Sequence, residues 1–172
     1  MKTIYIVEQL FARADWETEW SDWYNGNLSV LLAVPGFRSA QRFRLAGETP
    51  RYLAMYTLDS PAVFQTPVYI AAGGNGANSV RFRPAYQLWT RNLYDSQENA
   101  INVGPDQFLL VEDIIDANAP LRAGAKRLTC TGMHKTVPFR DFTILNAPMT
   151  TPPANAICYR PLTAQLGQLY KD

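Results

Sequence analysis

The sequence predicts an α+β fold: a ferredoxin-like β-α-β-β-α-β unit over residues 1–94, with a strand-rich extension over residues 95–172 packed on it. Three observations predict it. Segments of alternating character and segments of helical spacing follow one another in that order through the first half. Sixteen of the 21 Phe, Trp and Tyr residues, including all four Trp, lie in residues 1–94, so the principal core belongs there. The second half reads as strands, and Pro148, Pro152 and Pro153 interrupt any helix. Its strand count also fits a degenerate second ferredoxin-like unit.

Residues 3–11 are rich in β-branched and aromatic side chains and read as the first strand. Asp15 then stands where a carboxylate can accept from the free amides of a helix start. Trp16, Trp20, Trp23, Tyr24 and Leu31 form a helical stripe, with Glu17 and Glu19 near the positive end of the helix dipole. Asn25-Gly26-Asn27 should weaken this helix, Leu28 to Val34 should resume it, and Pro35-Gly36 should end it. From Phe37 to Leu45 the chain alternates, with Arg38, Arg42 and Arg44 on one side and Phe37, Phe43 and Leu45 on the other. Gly47-Glu48-Thr49-Pro50 makes a turn into a strand over residues 51–58. Ser60-Pro61 opens the second helix, Thr66-Pro67 kinks or restarts it, and residues 73–78 read as a flexible loop. Residues 85–94 close the unit as its fourth strand, and the polar stretch Asp95-Ser96-Gln97-Glu98-Asn99 marks the junction. Beyond it, residues 107–115, 126–137, 142–146 and 156–162 read as strands.

Composition narrows the chemistry. The net charge is +1, which argues against nucleic acid as a partner. No run of about 18 apolar residues exists to span a membrane, and the start reads as a strand and not as a signal peptide, so a cytoplasmic location is expected. One His rules out a multi-histidine metal site, and two Cys without a close-spaced pair supply neither a thiolate cage nor a disulfide framework. No metal and no organic cofactor are therefore expected.

The segment Trp23-Tyr24-Asn25-Gly26-Asn27 through Val34-Pro35-Gly36-Phe37, followed by a strand bearing Arg38, Arg42 and Arg44, resembles the dimeric α+β barrel superfamily, in particular its EthD-like branch. Tyr52-Leu53-Ala54-Met55-Tyr56 is similar to the third strand of that branch, and the resemblance covers about residues 3–94. Where the branch carries a His, this chain has Asn27, which hydrogen-bonds but does not titrate near neutrality. The resemblance implies a pocket between sheet and helices. It also implies a homodimer whose partner sheet, or else the C-terminal strands, covers the open face.

Tyr5, Trp20, Trp23, Tyr24, Phe43, Tyr56, Tyr86 and Trp89 either line an apolar cavity for a small aromatic or hydrophobic molecule or simply form core. Asn25 and Asn27 hold a substrate oxygen or satisfy a helix break. Arg42 and Arg44 clamp an anionic group or make a solvated strand face, and Arg91 is a further anion ligand. His134 is the one side chain with an ordinary pKa near neutrality, although it lies outside the principal unit. Glu8, flanked by apolar residues, reads as an ion-pair partner or a perturbed acid; Glu112, Asp113 and Asp116 read as strand-end charges. Cys130 and Cys158 read as buried thiols.

These residues lead to an expected cofactor-independent lyase or isomerase, moving a proton on an aromatic or carbonyl-bearing substrate. Asn27, Tyr24, Tyr56 and His134 are the catalytic candidates. Tyr5, Trp23, Arg42, Arg44, Trp89 and Arg91 are the binding candidates. A non-catalytic binding or accessory protein of a degradation pathway and a cofactor-free monooxygenase are the alternatives.

Overall fold

Strand β1 (Lys2–Phe11) is buried on both faces from Thr3 to Gln9, which an edge or one-sided strand would not be. The reason is its place in the sheet. In the computed structural model, which describes residues 2–46, 50–96 and 101–167, β1 pairs antiparallel with β3 (Arg51–Leu58) on one side and β4 (Tyr86–Ser96) on the other. Strand β2 (Phe37–Leu45) flanks β3. Strands β5 (Phe108–Ile114), β6 (Lys126–Met133), β7 (Phe139–Leu145) and β8 (Ala156–Pro161) continue the same sheet. The order β3-β1-β4-β6-β7-β5-β8-β2 closes through the β2–β3 pairing, and a two-residue β9 (Leu166–Gly167) adds to β2. The turn expected at Gly47, Glu48 and Thr49 and the junction expected at Gln97, Glu98 and Asn99 lie outside the described residues.

The expected fold class is corrected by this closure. The chain is a closed eight-stranded antiparallel β-barrel, mostly β, and not a ferredoxin-like β-α-β-β-α-β unit bearing an extension or a second such unit. The physical cause is a pair of matching needs. The inner face of β1–β4 carries Ile4, Ile6, Phe43, Leu53, Met55 and Tyr94, and it requires cover. Leu109, Val111, Leu128, Phe142 and Tyr159 from β5–β8 provide it. The ladders left open at β2 and β4 are completed by β8 and β6. An interior of eight strands is just wide enough for side chains to fill. The covering sheet that a second copy was expected to bring is thus present within one chain.

Outside the barrel, α1 (Ala14–Leu32) lies over β1, β2 and β3, with Trp20, Tyr24, Leu28, Leu31 and Leu32 buried beneath it. It runs unbroken through Gly26, contrary to the expected interruption. Its packed face outweighs the local weakness, and the Asn25 side chain accepts from Arg42 Nη1 at 2.6 Å. Asp15 is not the cap: Arg13 occupies that position, and Asp15 in the first turn binds the Arg13 side chain at 2.6 Å. The second helical region divides into a 3-10 segment (Pro61–Gln65), α2 (Pro67–Ala71) and a kinked 3-10 segment (Gly74–Ala85). Ser60 and Thr66 cap the first two. Residues expected to form a flexible loop at 73–78 are instead folded, with left-handed backbone at Gly73, Asn75 and Gly76. Among the described residues no helix is long and apolar enough to cross a membrane.

The alternation along β2 also resolves differently. A register shift between Phe37 and Ser39 places Phe37 on the helix side, with Tyr56 and Tyr69. Arg42 lies on that same side and is 1% exposed, so the β2 arginines do not form a solvated strand face. Inside one end of the barrel sits a polar cluster. Glu8 binds Arg140 at 2.5 Å, Arg51 at 3.4 Å and the Tyr159 hydroxyl at 2.8 Å; Arg140 also reaches Asp113 at 2.7 Å. Glu8, Asp113 and Glu112, the last paired with Arg122, are therefore structural ion pairs. Asp116 accepts from the Asn118 amide, and Cys130 and Cys158 are free thiols, the second buried.

Candidate functional site

A narrow cleft open to solvent lies between α1, the outer faces of β1, β3 and β4, and the segment after α2. Local periodicity builds each wall. Tyr5, Val7 and Gln9 alternate along β1 onto its outer face, and Trp89 and Arg91 do the same along β4. Trp23, Asn27 and Leu31 stand four residues apart on α1, one above the other. Tyr56 comes from β3 and Tyr69 from α2.

The polar inventory of this cleft is unusual in what it contains. Arg91 is its one ion among the described lining residues. The Arg91 guanidinium carbon lies 4.7 Å from the Trp89 ring centre, and its Nε and Nη1 are shut off from solvent without a hydrogen-bond partner. Burial pushes the hydroxyl pKa of Tyr5, Tyr24, Tyr56 and Tyr69 upward, against the smaller opposing pull of Arg91 or Arg42. These phenols are therefore neutral hydrogen-bond donors across the physiological range. Tyr24 and Tyr56 are hydrogen-bonded to one another. Asn27 Oδ1 accepts from Asn78 Nδ2 at 2.6 Å, which ties α1 to the segment after α2.

Seven of the expected site residues meet in this cleft: Tyr5, Trp23, Tyr24, Asn27, Tyr56, Trp89 and Arg91. Three do not line it. Arg42 lies behind the Tyr24 ring, 4.5 Å from its centre, with Nη1 held by the Ser21 carbonyl and the Asn25 side chain. Arg44 pairs with Glu17 at 3.7 Å beside Tyr52. His134 is exposed on the turn after β6, where its amide donates to the Arg91 carbonyl and its Nδ1 accepts from the Arg91 amide. Of the remaining aromatics expected at a cavity, Trp20 is wholly buried and donates to the Tyr86 hydroxyl at 3.0 Å, while Phe43 packs inside the barrel.

Sequence reasoning missed the far wall, made of Tyr69, Gly73, Gly74, Gly76, Asn78 and Ser79. The glycine cluster was its signal. At Gly76 the backbone is left-handed (φ +76°), and a Cβ would stand 3.0 Å from the Trp89 ring. At Gly74 a Cβ would stand 2.4 Å from Tyr69 Cε1 and 2.6 Å from the Tyr69 carbonyl oxygen. Gly74→Ala is therefore expected to destabilise the fold by about 1–3 kcal/mol, with a thermal melt as the readout. An unchanged melting temperature would show that this wall yields freely.

No protein-family model matches the sequence, and no curated protein matches it. Solved structures do match in shape. An anthrone oxidase-like protein superposes with a TM-score of 0.66 at 9% identity, covering 97% of this chain and 93% of that one. A protein of Lactobacillus acidophilus provisionally described as a monooxygenase gives 0.62 at 8% identity, covering 98% and 97%. One of Fusobacterium nucleatum with the same provisional description gives 0.61 at 10%, covering 99% and 98%. At these identities the likeness establishes the fold. The sequence resemblance holds at the level of the dimeric α+β barrel fold shared by these proteins, and the EthD-like branch is not confirmed. The expected lyase or isomerase class is corrected on the same finding, since these neighbours carry oxidase and monooxygenase descriptions. The lining supplies the physical reason. Moving a proton between carbon atoms needs a base that titrates near working pH, and no described lining residue is one.

Proposed function

We propose that this protein is a cofactor-independent oxygenase of small, planar aromatic compounds bearing carbonyl or hydroxyl groups. The observation that carries this reading is the composition of the cleft. Two indoles, four neutral phenols, carboxamides and one guanidinium are a lining for an organic ring system with polar oxygens. The oxidase and monooxygenase descriptions of the fold neighbours favour the same class.

In this reading Trp23 and Trp89 hold the ring, Asn27 orients a substrate oxygen and Arg91 takes the oxygen on which negative charge accumulates. The reacting centre is a methylene activated by the ring and carbonyl. Having lost one proton, it adds O₂ to give a peroxide anion. Tyr24, paired with Tyr56, is kept protonated by burial and gives that anion its proton. The Tyr24 phenolate takes the remaining methylene proton as hydroxide leaves, which gives the ketone and restores the phenol; hydroxide and the first proton make water, so one CH₂ and one O₂ become one C=O and one H₂O. Residues 1–94 carry the site, and residues 95–172 complete the barrel beneath it. A cytoplasmic location suits the two free thiols. A homodimer would pair two complete barrels, each with its own cleft.

The test uses anthrone as probe, in air-saturated buffer, with an oxygen electrode. The expected result is oxygen uptake well above the spontaneous rate, one O₂ for each quinone formed, and no loss of rate after extensive chelation. A protein that binds anthrone without faster oxygen uptake would be the non-catalytic binder instead.

A further inference from the structure

The arginines of this chain divide into two groups. Most stand against a carboxylate: Arg140 against Glu8 and Asp113, Arg127 against Asp141, Arg44 against Glu17. Arg42, Arg83, Arg91 and Arg160 have none within ion-pair distance among the described residues; Arg83 and Arg160 are exposed, whereas Arg42 and Arg91 each have guanidinium nitrogens buried without a hydrogen-bond partner: Nη2 of Arg42, and Nε and Nη1 of Arg91. Both belong to one place. Arg91 lines the cleft, and Arg42 backs its Tyr24 wall. A buried charge is costly unless a counter-charge and hydrogen-bond acceptors meet it. At the cleft the protein supplies acceptors to some of these nitrogens, Ser21 and Asn25 to Arg42 and the Tyr5 hydroxyl to Arg91, but no carboxylate to either guanidinium among the described residues.

We infer that the cleft takes its ligand as an oxyanion, a phenolate or enolate already ionised when it binds, whose charge answers the uncompensated guanidinium of Arg91 in the cleft wall while Arg42 adds its field from behind Tyr24. This inference rests on the proposed aromatic substrate and names the form in which it is bound. The ionisable groups around Arg91 are Tyr5 on β1, Tyr56 on β3, Tyr24 on α1, Tyr69 on α2, Arg83 beside Trp89, and His134 on the turn after β6. The phenols are neutral donors, Arg83 is a further cation, and His134 sits on the exposed side and meets only the Arg91 backbone. None is a base facing the ligand. The proton must therefore leave through the ligand's own acidity, in solution, before binding.

The consequence is a pH dependence that belongs to the ligand. Below a phenol's own pKa, affinity should rise tenfold with each pH unit, and above it the affinity should level off. The break should move from one phenol to the next with that phenol's acidity. Calorimetric titration with planar phenols of graded acidity, and with their O-methyl ethers, tests this without reference to turnover. The expected result is a break that follows each phenol's pKa and methyl ethers bound at least tenfold more weakly than the phenolates. Arg91→Met should remove that preference. Arg91→Lys should retain it at lower affinity, and Arg42→Met should reduce it while touching no ligand atom. Equal binding of ethers and phenolates, or one break at a fixed pH for every phenol, would overturn the inference. Phenolate binding without oxygen uptake would leave it standing and refute the oxygenase reading alone.

Discussion

Arg91→Met is expected to lower kcat/KM for an oxidisable aromatic substrate by about 10²–10³-fold, the usual cost of removing a donor from the place where negative charge gathers. The position is set by the sheet. Arg91 is two residues from Trp89 on the same face of β4, and opposite Val7 of β1, so its guanidinium lies along the cleft wall beside the Trp89 ring. Its unpartnered Nε and Nη1 have no competing acceptor to break from, which is the condition for preorganised stabilisation. Methionine keeps the length of the side chain, so the loss should appear chiefly in kcat, with the melting temperature held or raised, because an uncompensated buried charge is removed. Steady-state oxygen uptake across a substrate series checks it. A variant with wild-type kcat/KM would show that Arg91 is packing only.

Arg140→Met is expected to destabilise the protein by about 3–5 kcal/mol, because it strips the main partner from a carboxylate inside the barrel. Glu8 is 1% exposed and would keep only Arg51 and the Tyr159 hydroxyl. Burial alone pushes the Glu8 pKa up. In the native cluster the charges of Arg140 and Arg51, with hydrogen bonds from Arg140 and Tyr159, outweigh burial and hold it below the ordinary carboxylate value. The sign follows from the lowered native pKa. The unfolded chain binds the proton more readily, so the cluster stabilises fully above the unfolded pKa of about 4.3, and its contribution fades as pH falls through the lower native value. In the variant, burial has less to oppose it and protonation relieves the unpaired charge. The stability gap between the two proteins should therefore be widest near neutral pH and should narrow on acidification. Urea melts at several pH values test this, and a Glu8→Leu/Arg140→Met double variant should recover much of the loss. A gap below about 1 kcal/mol at neutral pH would mean that water enters the barrel end.

Much of the local structure was legible in the sequence, because local periodicity encodes it. The stripe of Trp20, Tyr24 and Leu31 specified α1, and the strand-like runs over residues 3–11 and 85–94 specified β1 and β4. The barrel was not legible. Its closure depends on β4 pairing with β6 and β2 with β8, contacts between distant segments that no local period records. The same blindness misread Arg42. Alternating charge and apolarity on β2 pointed to one wet face, whereas α1 covers that face and the barrel interior takes the other. His134 stands out in the sequence as the one histidine, yet position decides a role, and the turn after β6 sets it outside the cleft. The glycine cluster at residues 73–76 was read as slack chain when its missing side chains make room for Tyr69 and Trp89.

The reaction proposed for this cleft joins molecular oxygen to a bound aromatic anion without a cofactor. The most direct measurement is the mass of the quinone formed from anthrone by chelated, cofactor-stripped protein under ¹⁸O₂, corrected for the reaction without protein. One ¹⁸O atom is expected in each enzymically formed quinone, at a rate that collapses in Arg91→Met. Product oxygen drawn from water, or labelled product formed no faster than without protein, would contradict it.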